Sequence, residues 1–179
     1  DREGRVSVVA LPKSNLAIMN VYAVNGTDKP YWNHDVGAFA GDRHTFKRAF
    51  HARIAELARS LQSGGLDLLL IGDWNISQAP IDTIPRLRTE EPHATSRADF
   101  RVHIVEALDV VDVFRAMHPE ARAYTWFNPR SRRLDAARVD FALLSRSRLQ
   151  DVVSTTIDAS LVKELQSDHA PIHLELASS

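Results

Sequence analysis

The segment Leu66-Asp67-Leu68-Leu69-Leu70-Ile71 is almost continuously apolar, and Gly72-Asp73-Trp74-Asn75 follows it at once. Six residues are too few for a stable helix. Side chains on a strand alternate between two faces, so an unbroken apolar run gives both faces to the interior. A chain organised around such a strand must supply packed layers on either side of it. The polar residues that follow then stand at the end of a rigid, buried element.

The flanking pattern supplies those layers. Residues 6–11 (VSVVAL) and 16–23 (LAIMNVYA) are rich in β-branched residues and read as two strands, with residues 12–15 as the turn between them. A glycine- and aromatic-containing loop is expected over residues 25–41. Phe46, Phe50, Ile54, Leu57, Ala58 and Leu61 then recur at helical spacing, with Asp42 able to cap the start and Gly64-Gly65 to end it. On this phase Lys47, Arg48, Arg53, Glu56 and Arg59 fall largely on other faces. A loop is expected over residues 72–95. Ser96-Arg97-Ala98-Asp99 resembles a capping box for a second helix carrying Phe100, Ile104, Val105 and Leu108. Residues 111–117 read as a short helix stopping at His118-Pro119. Strands are expected at residues 124–127, 139–145, 152–157 and 172–176. Strands and helices interleave without a regular βαβ rhythm, which points to a layered α/β sandwich.

Length and composition exclude other classes. With 179 residues the chain suits one domain, residues 1–179, with a sizeable core. Its 44% hydrophobic and 25% charged residues are those of a globular protein rather than a disordered one. There is no cysteine, so thiol nucleophiles and zinc–thiolate sites are excluded. That fits an intracellular setting, the nucleus included. A net charge of −1 gives no global attraction to phosphate, so any such attraction is local or works through a metal ion.

Four clusters carry the chemistry, each at the end of an expected strand, where rigid scaffold meets loop. Tyr22 with Asn25-Gly26 offers a hydroxyl and an amide, or simply packs at a sheet edge. Asp73 and Asn75, two apart on an extended backbone, can address one point and hold or deprotonate a water; the alternative is a turn with local hydrogen bonds. Arg138-Val139-Asp140-Phe141 places a carboxylate within an apolar strand, where it needs a partner, either a histidine or an arginine. Ser167-Asp168-His169-Ala170-Pro171 sets a hard oxygen ligand beside an imidazole.

Taken in order, these clusters resemble the endonuclease/exonuclease/phosphatase superfamily (DNase I-like fold), and within it the exonuclease III-like apurinic/apyrimidinic endonucleases and retrotransposon endonucleases. Asp1 to Arg5 is similar to the family's D-x-x-G-R strand, Tyr124-Thr125-Trp126-Phe127 to its T-W segment, and Val111 to Pro119 to its LVD-x-[WF]-R-x-x-[HN]-P helix. Arg138 to Phe141 matches R-[IVL]-D-[YF]. The resemblance implies a four-layered α/β sandwich of two packed mixed sheets flanked by helices, and a Mg²⁺-dependent hydrolysis of phosphate esters, with Mn²⁺ able to substitute. It implies that Asp73 orients or deprotonates the attacking water and that Asn75 fixes its geometry and contacts phosphate. His169 would stabilise the phosphate, oriented by Asp140, and Asp168 would help hold the metal. Tyr22 and Asn25 would contact phosphate, with Trp126 and Arg138 on the substrate side of the site.

DNA is the substrate this implies, acted on by a monomer. A phosphorylated small molecule or lipid head group, as in inositol-phosphate and sphingomyelin-type enzymes, is the alternative, and a non-catalytic remnant a second. Val24 stands where many relatives have proline. The family's opening strand, with its asparagine and metal-ligating glutamate, has no counterpart ahead of Asp1, so an N-terminally truncated domain with weak Mg²⁺ binding and low activity is expected. His34, His44 and His51 lack the spacing of a zinc site and read as solvated. Arginines 130, 132, 133, 138, 146 and 148 suit either a phosphate-contacting patch or a solvated surface, and Tyr31 and Trp32 a loop packed on the sheet rather than a base-stacking platform.

Overall fold

A computed structural model describes residues 3–27, 29–34 and 36–177. Asp1 and Arg2 of the D-x-x-G-R segment lie outside the described residues. The apolar run becomes β5 (Asp67–Asp73), the middle strand of a five-stranded sheet. It pairs in parallel with β2 (Leu16–Tyr22) and antiparallel with β10 (Asp140–Ser145). β1 (Val6–Leu11) lies outside β2, and β7 (Val110–Asp112) outside β10. As its sequence requires, β5 is apolar on both sides. Leu68 and Leu70 join Met19, Val21, Phe141 and Leu143 on one face, and Leu69 joins Leu16, Ala142 and Leu144 on the other.

The first face is covered by α1 (Arg43–Ser63) and α2 (His93–Phe100), the latter running on through a π-helical segment, Arg101–Glu106. Trp74, fully buried, sits where the layers meet, its ring 5.2 Å from Phe100 and 6.0 Å from Phe141. Burial of side chains this large supplies about 2–3 kcal/mol each. The second face is covered by β11 (Val152–Ile157) and β12 (Ile172–Leu176), an antiparallel pair whose Val152, Leu174 and Leu176 pack on it. The chain is thus a mixed α/β sandwich, and the described residues build three of its layers: helices, five-stranded sheet, second sheet. Among the described residues, no helix is long and apolar enough to cross a membrane.

Four local expectations are corrected. Within residues 25–41 a hairpin forms, β3 (Pro30–Asn33) with β4 (Ala38–Asp42), because Tyr31 is drawn inward to stack on Phe46 at 3.7 Å. Residues 96–99 do not start a helix: α2 begins at His93, and Ser96 turns inward to the His44 ring, 3.3 Å away. Residues 110–112 are a strand before they are a helix, since Val110 and Val111 pair with β10; Asp112 then caps α3 (Val113–Met117) by accepting from the Arg115 amide. His44 and His51 are not solvated, being 4% and 1% exposed, while His34 is exposed as expected. The inner stripe of α1 is His44, Lys47, Phe50, His51, Ile54, Ala55 and Ala58, which also moves Lys47 from the outer faces to the interior.

Candidate active site

Cross-strand register builds the site. Tyr22 pairs with Asp73, and Asp73 with Asp140, so three polar residues form a row across the ends of β2, β5 and β10. Alternation puts all three on the face that carries Leu69, Ala142 and Leu144, toward the second sheet. From that sheet's side His169 arrives on the segment preceding β12. Its Nδ1 lies 2.8 Å from Asp140 Oδ2. Asp73, Asp140 and His169 together form a group whose potential ligand atoms lie within 4.8 Å of one another, able to hold a metal ion.

The backbone around this group is tied from several sides. Thr125, fully buried, accepts the Val139 and Asp140 amides on its hydroxyl, both at 3.0 Å, and the Ala170 amide on its carbonyl at 2.7 Å. One residue therefore fixes the strand bearing Asp140 against the segment bearing His169. Trp126 bridges to His169 through the backbone, and its indole N–H donates to Asp168 Oδ2 at 3.1 Å.

Asp73 and Asn75 do converge, but not by strand alternation. The strand ends at Asp73, and Asn75 turns into the left-handed region with φ 52°, which asparagine tolerates better than most residues. The Asn75 amide N–H donates to Asp73 Oδ1 at 2.8 Å, and Nδ2 donates both to Asp73 Oδ2 and to the Ala23 carbonyl, each at 2.9 Å. Flipping that amide would set its oxygen against two others, so its orientation is fixed, and both side-chain N–H groups are spent on Asp73 and Ala23. Asn75 thus orients Asp73. Gly72 is required just before: at φ 138° an added Cβ would come within 2.1 Å of the Val21 carbonyl.

Electrostatics mark the same residues. Burial, then the neighbouring Asp140 carboxylate, push Asp73 up to about 6. The hydrogen bond that His169 Nδ1 donates to the Asp140 carboxylate holds His169 above its ordinary value, against the effect of burial. Sequence reasoning missed Lys47, which enters from α1 and donates to the Asn75 carbonyl at 2.6 Å. The signal was its helical phase, three residues before Phe50 and four before His51.

Other expected site residues lie elsewhere. Arg138 is 1% exposed, its guanidinium held by Asp82 at 2.8 Å and Asp112 at 2.7 Å. This corrects its place on the substrate side, since a side chain committed to two buried carboxylates cannot also meet a ligand. Asp168 is exposed and turned to the Trp126 indole, outside the three-residue group. Tyr22 is 56% exposed under the Arg5 guanidinium, and Asn25 is exposed with its carbonyl bound by Arg43. The arginines are no single patch: 130, 132 and 133 are exposed, but Arg146 pairs with Asp109 and Arg148 with Asp151.

No protein-family model matches the chain. Among curated proteins it is similar to DNA-(apurinic or apyrimidinic site) endonuclease 2 of Schizosaccharomyces pombe, at 28% identity over 148 residues, covering 75% of this chain and 28% of that protein. Among solved structures, a 3′ phosphatase from Neisseria bound to product DNA hairpin superposes with TM-score 0.78 at 27% identity, covering 97% of this chain and 65% of that one. A 3′–5′ exonuclease from Neisseria meningitidis gives the same TM-score and coverage at 28% identity. The chain thus shares the DNase I-like fold of these structures. An AP endonuclease from Archaeoglobus fulgidus shares the fold at TM-score 0.67 and 19% identity. The structural likeness spans 97% of this chain but 65–70% of the solved structures, and the chain covers 28% of the curated relative.

Proposed function

We propose that the chain is a metal-dependent phosphoesterase acting on DNA, hydrolysing phosphate esters by direct attack of water. The observation that carries this is the Asp140–His169 contact at 2.8 Å beside Asp73 in the next strand. With Nδ1 taken by Asp140, His169 is left to address a phosphate oxygen through Nε2, and its raised basicity favours the protonated, charge-stabilising form. Asp73, aimed by Asn75 and pushed up to about 6, lies in the range where a carboxylate exchanges a proton near neutral pH; it receives the proton of the attacking water. Tyr22, beside Asp73 in register and exposed, is set to meet the phosphate or the leaving oxygen. Trp126 flanks the same edge, where an aromatic ring suits a sugar or base.

The donor set fits a hard divalent cation such as Mg²⁺: Asp140 would supply a carboxylate oxygen, and Asp73 would hold the cation's water, the two carboxylates lying together at a half-buried edge. Bound there, the ion would neutralise the developing phosphate charge. DNA is favoured over a phosphorylated small molecule because the relatives named above act on DNA, one of them solved with a DNA product.

The test is metal-dependent hydrolysis of two duplexes, one with a single abasic site and one with a 3′-phosphate, alongside soluble inositol phosphates. Because the chain spans 65% of the Neisseria proteins, it is assayed both as it stands and extended to their length. Turnover of either duplex, lost on His169→Ala, is expected. Turnover of inositol phosphates alone would replace DNA by the small-molecule substrate, and no turnover of any would overturn the reading.

A further inference from the structure

We propose that Lys47 is a positioning residue of this site: from the helical layer its ammonium holds the Asn75 carbonyl, and through it the turn that aims the Asp73 carboxylate. The proposal rests on the phosphoesterase reading for its consequence, though not for its geometry.

A lysine is among the side chains least often fully buried, because an ammonium loses several kcal/mol of hydration in an apolar interior. Lys47 is 3% exposed on the inner stripe of α1, between His44 and His51. Among the described residues no carboxylate lies within ion-pair distance of it. Its hydrogen bond goes instead to a backbone carbonyl, that of Asn75, at 2.6 Å. The charge is therefore not there to complete a salt bridge. Burial draws the ammonium down to about 7, and the Asp73 carboxylate, nearby but not in contact, opposes that shift.

The partner explains the placement. Asn75 is a non-glycine residue in the left-handed region, a conformation that costs about 1 kcal/mol or more and persists only where the surroundings impose it. The other anchors on this turn come from the sheet: Asp73 accepts the Ala23 amide at 2.7 Å, the Trp74 amide donates to Val139 at 2.9 Å, and the Asn75 side chain donates to Ala23. Those contacts do not involve the Asn75 carbonyl, which is fixed from the helical layer by Lys47. Lys47 supplies a long, flexible stem ending in a strong donor, and it is in phase with the stripe that packs α1 on the sheet. The turn is thus clamped between two layers, and sliding of α1 would be felt at Asp73.

The sequence contains no cysteine, which allows a direct test. Lys47→Met keeps the stem and removes the ammonium. Lys47→Cys, alkylated with bromoethylamine while unfolded and then refolded, restores an ammonium at nearly the native length. Three readouts are compared: thermal midpoint, the ¹H–¹⁵N signals of the Asn75 side-chain amide, and kcat with KM on the abasic duplex. In Lys47→Met the midpoint stays level or rises, the Asn75 amide signals shift and broaden, and kcat falls on the order of tenfold with KM within about twofold. Alkylation of the Cys variant restores both signals and rate. Unmoved Asn75 signals in Lys47→Met would overturn the proposal. So would a rate loss that merely tracks the unfolded fraction, or a rate the ammonium does not restore. If the unmodified protein turns over no substrate, the phosphoesterase reading fails by itself, and the Asn75 signals alone then decide the role of Lys47.

Discussion

Two clusters of charge lie at the same end of β10, and they are built to opposite rules. In the inner one, Asp82, Arg138, Asp112 and Arg115 balance two carboxylates against two guanidiniums, with contacts of 2.6 to 2.8 Å. Asp82 and Arg138 are each 1% exposed, and Asp82 also accepts the Ala79 amide. In the outer one, Asp73, Asp140 and His169 set two carboxylates against one imidazole at a half-buried edge. The inner cluster balances its charges within the chain, although Arg138 Nη1 and Arg115 Nε are buried without a hydrogen-bond partner. The outer one carries an excess of negative charge, and burial, then the neighbouring Asp140 charge, push Asp73 up to about 6. A cluster that holds the fold balances its charges, whereas one kept for chemistry leaves an imbalance for a ligand to settle.

The comparison breaks most easily at Arg138. Replacing it by Met leaves two carboxylates facing the one guanidinium of Arg115, Asp82 buried among them, for a loss of about 3 kcal/mol of stability by denaturant titration. Activity, on this view, falls only as far as folded protein does. A variant that folds normally yet is inactive would move Arg138 into the site after all.

Asp73→Asn should do the reverse. It keeps the shape and removes one of two neighbouring like charges, which offsets the acceptor lost to Asn75, so the thermal midpoint stays about level. The rate on the abasic duplex drops by about 10²–10⁴-fold, the scale of a lost general base. A midpoint that falls together with the rate would mean that Asp73 holds the fold, and the contrast between the clusters would collapse.

How far all this could be read beforehand depends on where the deciding partner lies. The buried strand was legible because its six residues leave little choice of environment, and Asp73, Asp140 and His169 because motif order brings them together. The convergence of Asn75 on Asp73 was legible in outcome but not in cause, since a left-handed turn does what alternation was expected to do. Arg138 and Asp140 share one motif two residues apart, and nothing local says that the first turns inward. Its partners Asp82 and Asp112 are 56 and 26 residues away. Lys47 was misread for a smaller reason. A helical phase fitted to the apolar side chains alone puts charged residues on the other faces, whereas Lys47 lies on the inner stripe with Phe50 and Ile54. The β3–β4 hairpin went unseen because short strands among glycines and a proline carry little periodicity.

His51 belongs to neither cluster and sharpens the contrast by a smaller effect. Both its ring nitrogens are buried without a hydrogen-bond partner, and burial pulls it down to about 3. The unfolded imidazole titrates near 6.5. Between those values the unfolded chain binds the extra proton, so stability is full above about 6.5 and is lost as pH falls toward 3, by about 1.4 kcal/mol per pH unit. His51→Leu, similar in bulk, should flatten that acid limb in urea titrations at pH 7, 6 and 5 while leaving the rate unchanged. An acid limb as steep as before would assign it to the carboxylates instead.

The smallest effect concerns Asp168, where the sequence expectation and the geometry part. As a direct metal ligand it would matter as much as Asp140. As an exposed carboxylate bound to the Trp126 indole, it acts on the site only through its charge, and such an interaction is worth on the order of 1 kcal/mol and is screened by salt. Asp168→Asn keeps an oxygen for the indole, so the local geometry survives. Mn²⁺ affinity, measured by titration calorimetry, should then fall only several-fold at low ionic strength, and the difference should shrink as salt is raised to 0.5 M. Asp140→Asn, which removes a member of the three-residue group, should lose more and keep that loss at high salt. A large, salt-insensitive loss in Asp168→Asn would restore Asp168 to the ligand set and extend the outer cluster to three carboxylates.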